Sequence, residues 1–528
     1  MAEPDPLPGP SDTPRDFNVA TYFLDHNVVE GRGGRTALFT PAGPATYSNL
    51  ASLTNRVGNG LIEIGVQPQQ RVLLALADSV EFVATWYAAQ KIGAVTAEVY
   101  TFLQPKDYAY YIEYTDAPVV VVDAITLGRM RDALTAAGRR PILLVAGAKP
   151  DDLRSGEVSF ASLVDRQADT LTAVESASRD IAIWKFTTGS TGHPKACVHT
   201  ARSPRMSYLA YACGVLDLQP DDVVLPVPKL FFGYARDLAA LFPFRAGAAG
   251  VIFTDRSTPE LLFELIARHR PTILVNVPTM MKDMLDHPAA SQQDLSCLRL
   301  CTSAGEALPE PLHRRWMEMF GVEVLDGIGS SEAYHIYMSN RPGRVRMGTI
   351  GEPVPSYTAQ VVDEAGRDVA DGEIGRLWIH GPTAALAYWN DPEKSRQTFA
   401  QDLVMSGDLV ERDADGYFSY RGRADDLLKI GGIWVAPAEI ERCLLSHQDV
   451  VECAVVGGDV DGLTRSCAFV VLRRDAAQST QQLQAFVREH LSPHKVPREL
   501  RFVTQLPKTG SGKIDRTALR ELSGAGRH

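Results

Sequence analysis

The 528-residue chain is poor in several things at once. It has seven cysteines: Cys197, Cys213, Cys297, Cys301, Cys443, Cys453 and Cys467. They are few for the length and odd in number, whereas a disulfide framework is dense and usually even. No C-x-x-C pair occurs. Cys297 and Cys301 stand four apart in SCLRLCTS with no histidine or second cysteine pair beside them, so they read as buried strand thiols rather than zinc ligands. A reducing cytoplasm fits this usage. No apolar run approaches the roughly 18 residues needed to cross a membrane. The first residues, MAEPDPLPGPSDTPRD, lack the basic start and apolar stretch of a secretory signal, and their prolines and acids predict a disordered leader over 1–16. Positive charge is also short. Lysine plus arginine number 53 against 64 acids, a net −11, which argues against nucleic acid or an anionic membrane as partner.

What is present is ample core. The chain is 45% apolar and 22% charged, and its length allows three or four packing units of roughly 150 residues each. RVLLALA (71–77), APVVVVD (117–123), ILVNVP (273–278) and LRLCTSAG (298–305) read as strands. SVEFVATWYAAQKIG (79–93) and LLFELIARHRP (261–271) read as helices between them. Such alternation predicts an α/β architecture with a mostly parallel sheet. From about 350 to 422 the text turns β-rich and glycine-punctuated. The last hundred residues read as a small α+β unit, with helices at 436–447 and 480–492 and strands at 453–458 and 466–474. Residues 426–528 carry 14 Lys and Arg against 12 Asp and Glu, so the remainder holds a net −13. The difference suits a phosphate-handling lid and equally suits chance variation between domains.

The strongest local signal is WKFTTGSTGHPKACVHT (184–200). A strand leads to a loop of hydroxyls and glycines, then Lys195, then a second strand. Glycines let backbone N–H groups approach an anion, hydroxyls add donors, and a lysine supplies a compact charge. A Walker loop is the rival. It fails because Pro194 precedes the lysine and KACVHT continues as strand, whereas a Walker loop must open a helix. LPKTGSGKIDR (506–516) holds Lys513 on a second glycine-rich loop. SAGEALP (303–309) contributes Gly305 and Glu306. DGIGSSEAYHI (326–336) places Glu332 after a glycine- and serine-rich turn, where a carboxylate suits magnesium. SGDL (406–409) and YRGRADDLLKIGG (420–432) supply Asp408 and Arg423, a carboxylate for ribose hydroxyls and an arginine to support it.

Together, in this order, these strings resemble the adenylate-forming superfamily of acyl-CoA synthetases, adenylation domains and luciferases, from about residue 20 to 520. Within it the chain is most similar to benzoate–CoA ligases and related aryl-CoA ligases. The supporting strings are NVVEGRGGRTAL (27–38), KLFFGY (229–234), SAGEALP, DGIGSSEAYHI and DDLLKIGGIWVAPAEIE (425–441). The resemblance implies a large N-terminal α/β body with a β-rich portion (17–424), holding ATP and the acid. It also implies a small mobile α+β lid (425–528), reorienting about Asp425. It implies ATP, Mg²⁺ and coenzyme A as reactants and helpers, and a small aromatic acid as substrate. Monomer and homodimer both stay open.

The implied roles follow the motifs. Thr187, Thr188, Gly189, Ser190, Thr191, Gly192 and Lys195 cradle phosphates. Gly305, Glu306, Asp326, Gly327, Ile328 and Ser331 hold the nucleotide, with Asp408 and Arg423 at the ribose. Glu332 holds the metal, and Lys513, Glu332 and Thr188 serve catalysis. Lys429 binds cofactor, and the loop around Gly431 and Gly432 helps form a thiol tunnel. Phe231, Gly233, Tyr234, Gly329, His335 and Ile336 form the acyl pocket, where His335 either orients the carboxylate or packs beside Tyr334. Two departures bear on substrate. Ala235, Arg236 and Asp237 replace a Gly-Leu-Gly-like run, and Gly233 stands where alanine is common, which predicts slightly more room. Arg236 and Asp237 read either as a surface ion pair or as partners of a ring substituent, and a hydroxyl- or amino-substituted benzoate follows as the expected acid. Ser331 keeps the hydroxyl of the commoner threonine. Three other readings remain: transfer to a carrier-protein phosphopantetheine, a P-loop-type phosphotransferase, and a non-catalytic nucleotide-binding protein.

Overall fold

A computed structural model of the chain describes residues 17–188, 194–430, 433–460, 463–474, 476–509 and 514–523; the expected leader over 1–16 lies outside them. Two compact units are distinguished. One runs to Ala359 and adds Ile379–Met405; the other comprises Gln360–Trp378 and the chain from Ser406 onward.

The first unit contains two sheets. In one, β1 (Arg71–Ala75) leads into helix α1 (Val80–Lys91) and then β2 (Val95–Glu98), which pairs in parallel with β1. Ser79 caps α1 by accepting from the Phe82 amide at 3.1 Å, and Gly93 takes the left-handed conformation that turns the chain back. Every side chain of α1 from Phe82 to Lys91 is buried, so the helix has no solvent face. The buried ammonium of Lys91 is held by Asp25 and Asn55, each at 2.7 Å. Val119–Val122, a run of four valines, pairs on the far side of β1, and all four are buried. A parallel strand covered on both faces needs no alternation.

At the other end of this sheet lies the hairpin of β3 (Ile181–Thr188) and β4 (Pro194–Thr200). β3 pairs in parallel with β2, and Thr187 faces Lys195 across the hairpin. Lys195 therefore stands on a strand rather than at the start of a helix.

The second sheet has nine strands. Its central strands, Ala249–Val251, Val223–Pro226, Ile273–Asn276, β5 (Leu300–Ser303) and β6 (Val324–Gly329), pair in parallel, and β7 (Ile336–Ser339) returns antiparallel to β6. Cys301 is a buried thiol on β5. Cys297, expected on the same strand, sits in the turn before it and is only partly buried, because the strand begins at Leu300.

Helix α2 (Gly233–Ala240) carries the Gly233–Tyr234 pair and lies against this sheet. A Cβ at Gly250 would come within 1.9 Å of the Ala239 carbonyl oxygen, so glycine there lets the helix touch the strand. Tyr87 of α1 donates to the Ala240 carbonyl at 2.7 Å, linking the two layers.

The β-rich stretch contains short strands at Glu352–Pro353, Thr358–Val362, Ile374–His380, Leu403–Arg412 and Phe418–Arg423. In the second unit, helix α3 (Pro437–Leu445) and helix α4 (Thr480–His490) cover a sheet of Val450–Val460, Leu463–Leu472 and Glu499–Phe502. Ile440, Cys443, Leu444, Leu483 and Val487 form that small core. Ser479 caps α4 in a reciprocal box with Gln482. Among the described residues no helix is long and apolar enough to cross a membrane.

Gly250→Ala tests the helix–strand contact. Forcing a methyl against backbone costs about 1–3 kcal/mol in a packed core, so the thermal midpoint should fall by several degrees. A midpoint unchanged from wild type would show that α2 does not rest on the strand as described.

Candidate active site

The centre of the first unit is the turn Ser331–His335 between β6 and β7. Four successive carbonyls in it are held from three segments, the 383–385 stretch supplying two of the donors. His199 on β4 binds the Ser331 oxygen through Nε2 at 2.7 Å. The Ala385 amide donates to the Glu332 oxygen at 2.8 Å. The Thr383 hydroxyl donates to the Ala333 oxygen at 2.6 Å, and the Lys185 ammonium on β3 donates to the Tyr334 oxygen. These bonds fix an unusual backbone: Tyr334 has φ of 74°, which a side chain other than glycine's rarely adopts. The result places Glu332 on one side of Tyr334, with His335 and Ile336 on the other.

On the Glu332 side, Oε1 accepts from the Tyr388 hydroxyl at 2.8 Å, and the Ser331 hydroxyl donates to the Phe186 carbonyl at 3.1 Å. The phosphate-loop hairpin and the acidic turn are therefore joined directly. Lys195 is paired with Asp391 at 2.8 Å. The backbone of Thr188 ends β3, but its side chain, with Gly189, Ser190, Thr191 and Gly192, lies outside the described residues. No group of three or more acidic, histidine or cysteine side chains among the described residues forms a metal cage. One carboxylate beside hydroxyls suits Mg²⁺ of the kind held chiefly by nucleotide phosphates. Glu332 and Ser331 fit that role.

On the other side is a closely packed pocket wall. Tyr234 shares a hydrogen bond with Thr302 at 2.6 Å, and Ile336 pairs with Gly329 across the strands. A Cβ at Gly329 would stand 2.6 Å from the His335 carbonyl oxygen, so only glycine fits. His335 is buried among Tyr211, Tyr234 and Phe242, with ring centroids 5.1–5.8 Å away. The ring is packed and its Nδ1 has no hydrogen-bond partner among the described residues, as either expectation for His335 allows. Phe231 packs instead against Tyr100 and Phe102.

The largest correction concerns Arg236 and Asp237. They are not on the surface: Arg236 is 3% exposed and Asp237 fully buried. Arg236 donates to Asp237 at 2.8 and 2.9 Å and to Glu98, which also accepts from the Trp86 indole. Lys185 pairs with Asp237 at 2.9 Å. Two cations and two anions thus neutralise one another in the core, as burial requires. Burial by itself raises the Asp237 carboxyl, but Arg236 and Lys185 outweigh it and hold it at about 2. Burial lowers Lys185 to about 8, with Asp237 opposing. The extra room expected at Gly233 is absent for the same reason. A Cβ there would meet the Lys185 Nζ at 2.6 Å.

Lys185, Glu98, His199, Thr383 and Tyr388 were all missed by motif reading. A lysine between Trp184 and Phe186 in a strand that is otherwise apolar was the available signal.

The residues expected at the nucleotide are divided between the two units. Gly305, left-handed at φ 87°, follows β5, and Glu306 accepts from the Thr279 hydroxyl at 2.7 Å. Asp326 is buried with Ser303 donating at 2.8 Å, and burial raises its carboxyl well above the usual range. Gly327 and Ile328 continue β6; a Cβ at Gly327 would lie 2.6 Å from the Met338 carbonyl oxygen. In the second unit, Asp408 faces Arg423 across a hairpin, with Oδ1 3.1 Å from Nη1 and Oδ2 accepting from Ser406 at 2.6 Å. Asp425 lies in the single turn Ala424–Asp426 and Lys429 on the strand Leu428–Ile430, their side chains outside the described residues. Gly431, Gly432 and Lys513 are outside them altogether. The chain flanking Lys513 is described: Lys508 bridges Ile514, and Arg516 binds Glu441 at 2.8 Å.

Comparisons with known proteins give the family. The AMP-binding enzyme family matches residues 25–389, and the AMP-binding enzyme C-terminal domain matches 439–513. A benzoate–CoA ligase of Thauera aromatica is 40% identical over 513 residues, 96% of either chain. A 4-hydroxybenzoate–CoA/benzoate–CoA ligase of Rhodopseudomonas palustris is 36% identical, covering 96% of this chain and 95% of the relative. Among solved structures, the anthranilate CoA ligase AuaEII in complex with anthranoyl-AMP has a TM-score of 0.92 at 37% identity, covering 98% of this chain and 99% of that one. A benzoate CoA ligase from Burkholderia xenovorans LB400 has 0.87 at 39%, covering 96% and 100%.

Burial holds His199 and His335 neutral, lowering each from 6.5 to about 3. Between those values the unfolded chain binds more protons than the folded one. The stability is complete above the unfolded value and is lost as pH falls toward the folded value, by about 2 kcal/mol per histidine at about pH 5. Thermal unfolding at pH 7.5 and 5.0 checks this. His335→Asn should lose less stability over that interval than wild type; equal losses would contradict the buried neutral ring.

Proposed function

Because the chain belongs to the AMP-binding enzyme family, an assignment its full-length likeness to aryl-CoA ligases carries further, we propose that it is an AMP-forming acid–thiol ligase that activates an aromatic carboxylic acid and transfers it to coenzyme A. The observation that carries the reading is the Ser331–His335 turn. It sets a carboxylate against the phosphate-loop hairpin on one side and an aromatic pocket wall on the other.

The chemistry runs in two steps. The acid carboxylate attacks the α-phosphorus of ATP, forming a P–O bond to carbon-bound oxygen and expelling pyrophosphate. AMP then serves as the leaving group that oxide never could. The thiol sulfur attacks the acyl carbon, its proton departs, and AMP is released. The first step brings two anions together, so fixed positive charge and oriented donors must await them. Lys513 is assigned to the carboxylate and α-phosphate oxygens. The hydroxyls and backbone of 187–195 are assigned to the β- and γ-phosphates. Glu332, helped by Ser331 or Thr188, would hold Mg²⁺, which would neutralise phosphate charge. Asp408 and Arg423 take the ribose. Tyr234, Gly329, His335 and Ile336 hold the acid, with flat walls suited to a ring.

The second step requires the C-terminal residues to change partners. We assign the hinge to Asp425, the domain beyond it to a lid over 425–528, and the thiol path to Lys429, Gly431 and Gly432. A lid that serves both steps also keeps water from a labile mixed anhydride. Relatives named as hydroxybenzoate–CoA ligases, and the neighbour bound to anthranoyl-AMP, support a ring-substituted benzoate among the acids accepted. Relatives named as CoA ligases favour free coenzyme A over a carrier-protein pantetheine. The strand after Lys195 argues against a P-loop phosphotransferase. Seven cysteines without a disulfide support a cytoplasmic location.

A pyrophosphate-release screen over benzoate, hydroxy- and aminobenzoates and aliphatic acids, with coenzyme A present, tests the function. Aromatic acids should dominate and AMP should accumulate. Release of ADP, or preference for aliphatic acids, would sink the reading. Lys513→Ala should slow acyl-AMP formation by about 100-fold or more with little change in ATP binding. Asp425→Pro should leave acyl-AMP formation intact and stall the thioester step; normal progress through both would remove the hinge from Asp425.

A further inference from the structure

Lys185 lies within the 184–200 string but carries no assigned role there. It lies on β3 two residues before Thr187, where the phosphate loop begins. Its ammonium donates to the Tyr334 carbonyl, pairs with Asp237 at 2.9 Å, and sits 3.6 Å from the centre of the Tyr334 ring. It also fills the space beside Gly233 that a Cβ would need. The ammonium's three directions are thus taken by a carbonyl, a carboxylate and an aromatic face. Asp237 is in turn fixed by Arg236, and Arg236 by Glu98.

We propose that Lys185 is a positioning residue for the acid half of the site. It holds the left-handed turn at Tyr334 that orients His335 and Ile336, and it packs against Gly233 at the start of α2. The reasoning is geometric. Of the four groups that hold the turn's carbonyls, His199, Ala385 and Thr383 act on residues before Tyr334. Lys185 alone among those four acts on the strained residue itself, and it alone is charged. The peptide it holds is the one that enters His335. Removing the ammonium frees that peptide to leave the strained region, which moves the acid-side residues. The Glu332 side keeps its bonds to Tyr388 and its two neighbouring carbonyl contacts.

The inference rests on the functional reading above, and its test separates the two. The acid that wild type activates best is used with the full chain. Lys185→Met keeps the side-chain length and leaves Asp237 with Arg236. It should raise the KM for the acid at least tenfold while the KM for ATP stays within threefold. Gly233→Ala, which crowds the ammonium, should raise the acid KM in the same way. Its effect should shrink to less than threefold when made in a Lys185→Ala background, where the methyl has room. A general loss of structure would raise both KM values together and leave the two substitutions additive; either result overturns the proposal. If Lys185→Met does not fold, Gly233→Ala in the otherwise wild-type chain decides it: an acid KM raised at least tenfold with the ATP KM within threefold supports the proposal, and any other result overturns it. Absence of pyrophosphate release from wild type with every aromatic acid would instead overturn the functional reading and this inference with it.

Discussion

The architecture of the site depends on a run of held carbonyls. Oxygens of Ser331, Glu332, Ala333 and Tyr334 accept from three segments: β4, the 383–385 stretch and β3. A left-handed tyrosine costs on the order of 1–3 kcal/mol and persists only where its surroundings over-determine it. Here they do. The strain is what allows a carboxylate and an aromatic pocket wall to leave the same short turn in different directions. Distance between the two chemical tasks is thus set by backbone geometry rather than by long side chains.

Much of this was legible in the sequence because the family's chemistry is written in contiguous strings. TTGSTGHPK, IGSSE and SGD each bring their donors and glycines in one piece, so their order alone identifies the fold and the reaction class. The strand after Lys195 could be read locally, as could the capped helix beginning at Ser79. The ion network could not. Lys185 and Asp237 are 52 residues apart, and Glu98 lies 138 residues from Arg236. Nothing in either neighbourhood says that the partner exists. Taken alone, an Arg-Asp pair in a helix is most often solvated, and a glycine in place of alanine suggests room. Both inferences fail for one reason: the missing volume and the missing counter-charge are supplied by the same distant lysine.

The neutrality of that network constrains the pocket. Four charges are buried together, bonded to one another and to the Tyr334 carbonyl and the Trp86 indole, and removing one partner from such a set leaves an uncompensated charge in the core. The residues behind the acid pocket therefore act as a group. A change at Gly233 is felt by Lys185, then by Asp237 and Arg236. The packing at this wall is a property of the group and of the helix start it braces.

Helix α1 carries a consequence of another kind. It has buried side chains all round and touches both layers, through Tyr87 to Ala240 and through Trp86 to Glu98. A segment with no solvent face cannot open by local fraying toward water. Its amides can meet solvent only when the layers on either side part, so their exchange with deuterium reports the opening of the whole first unit.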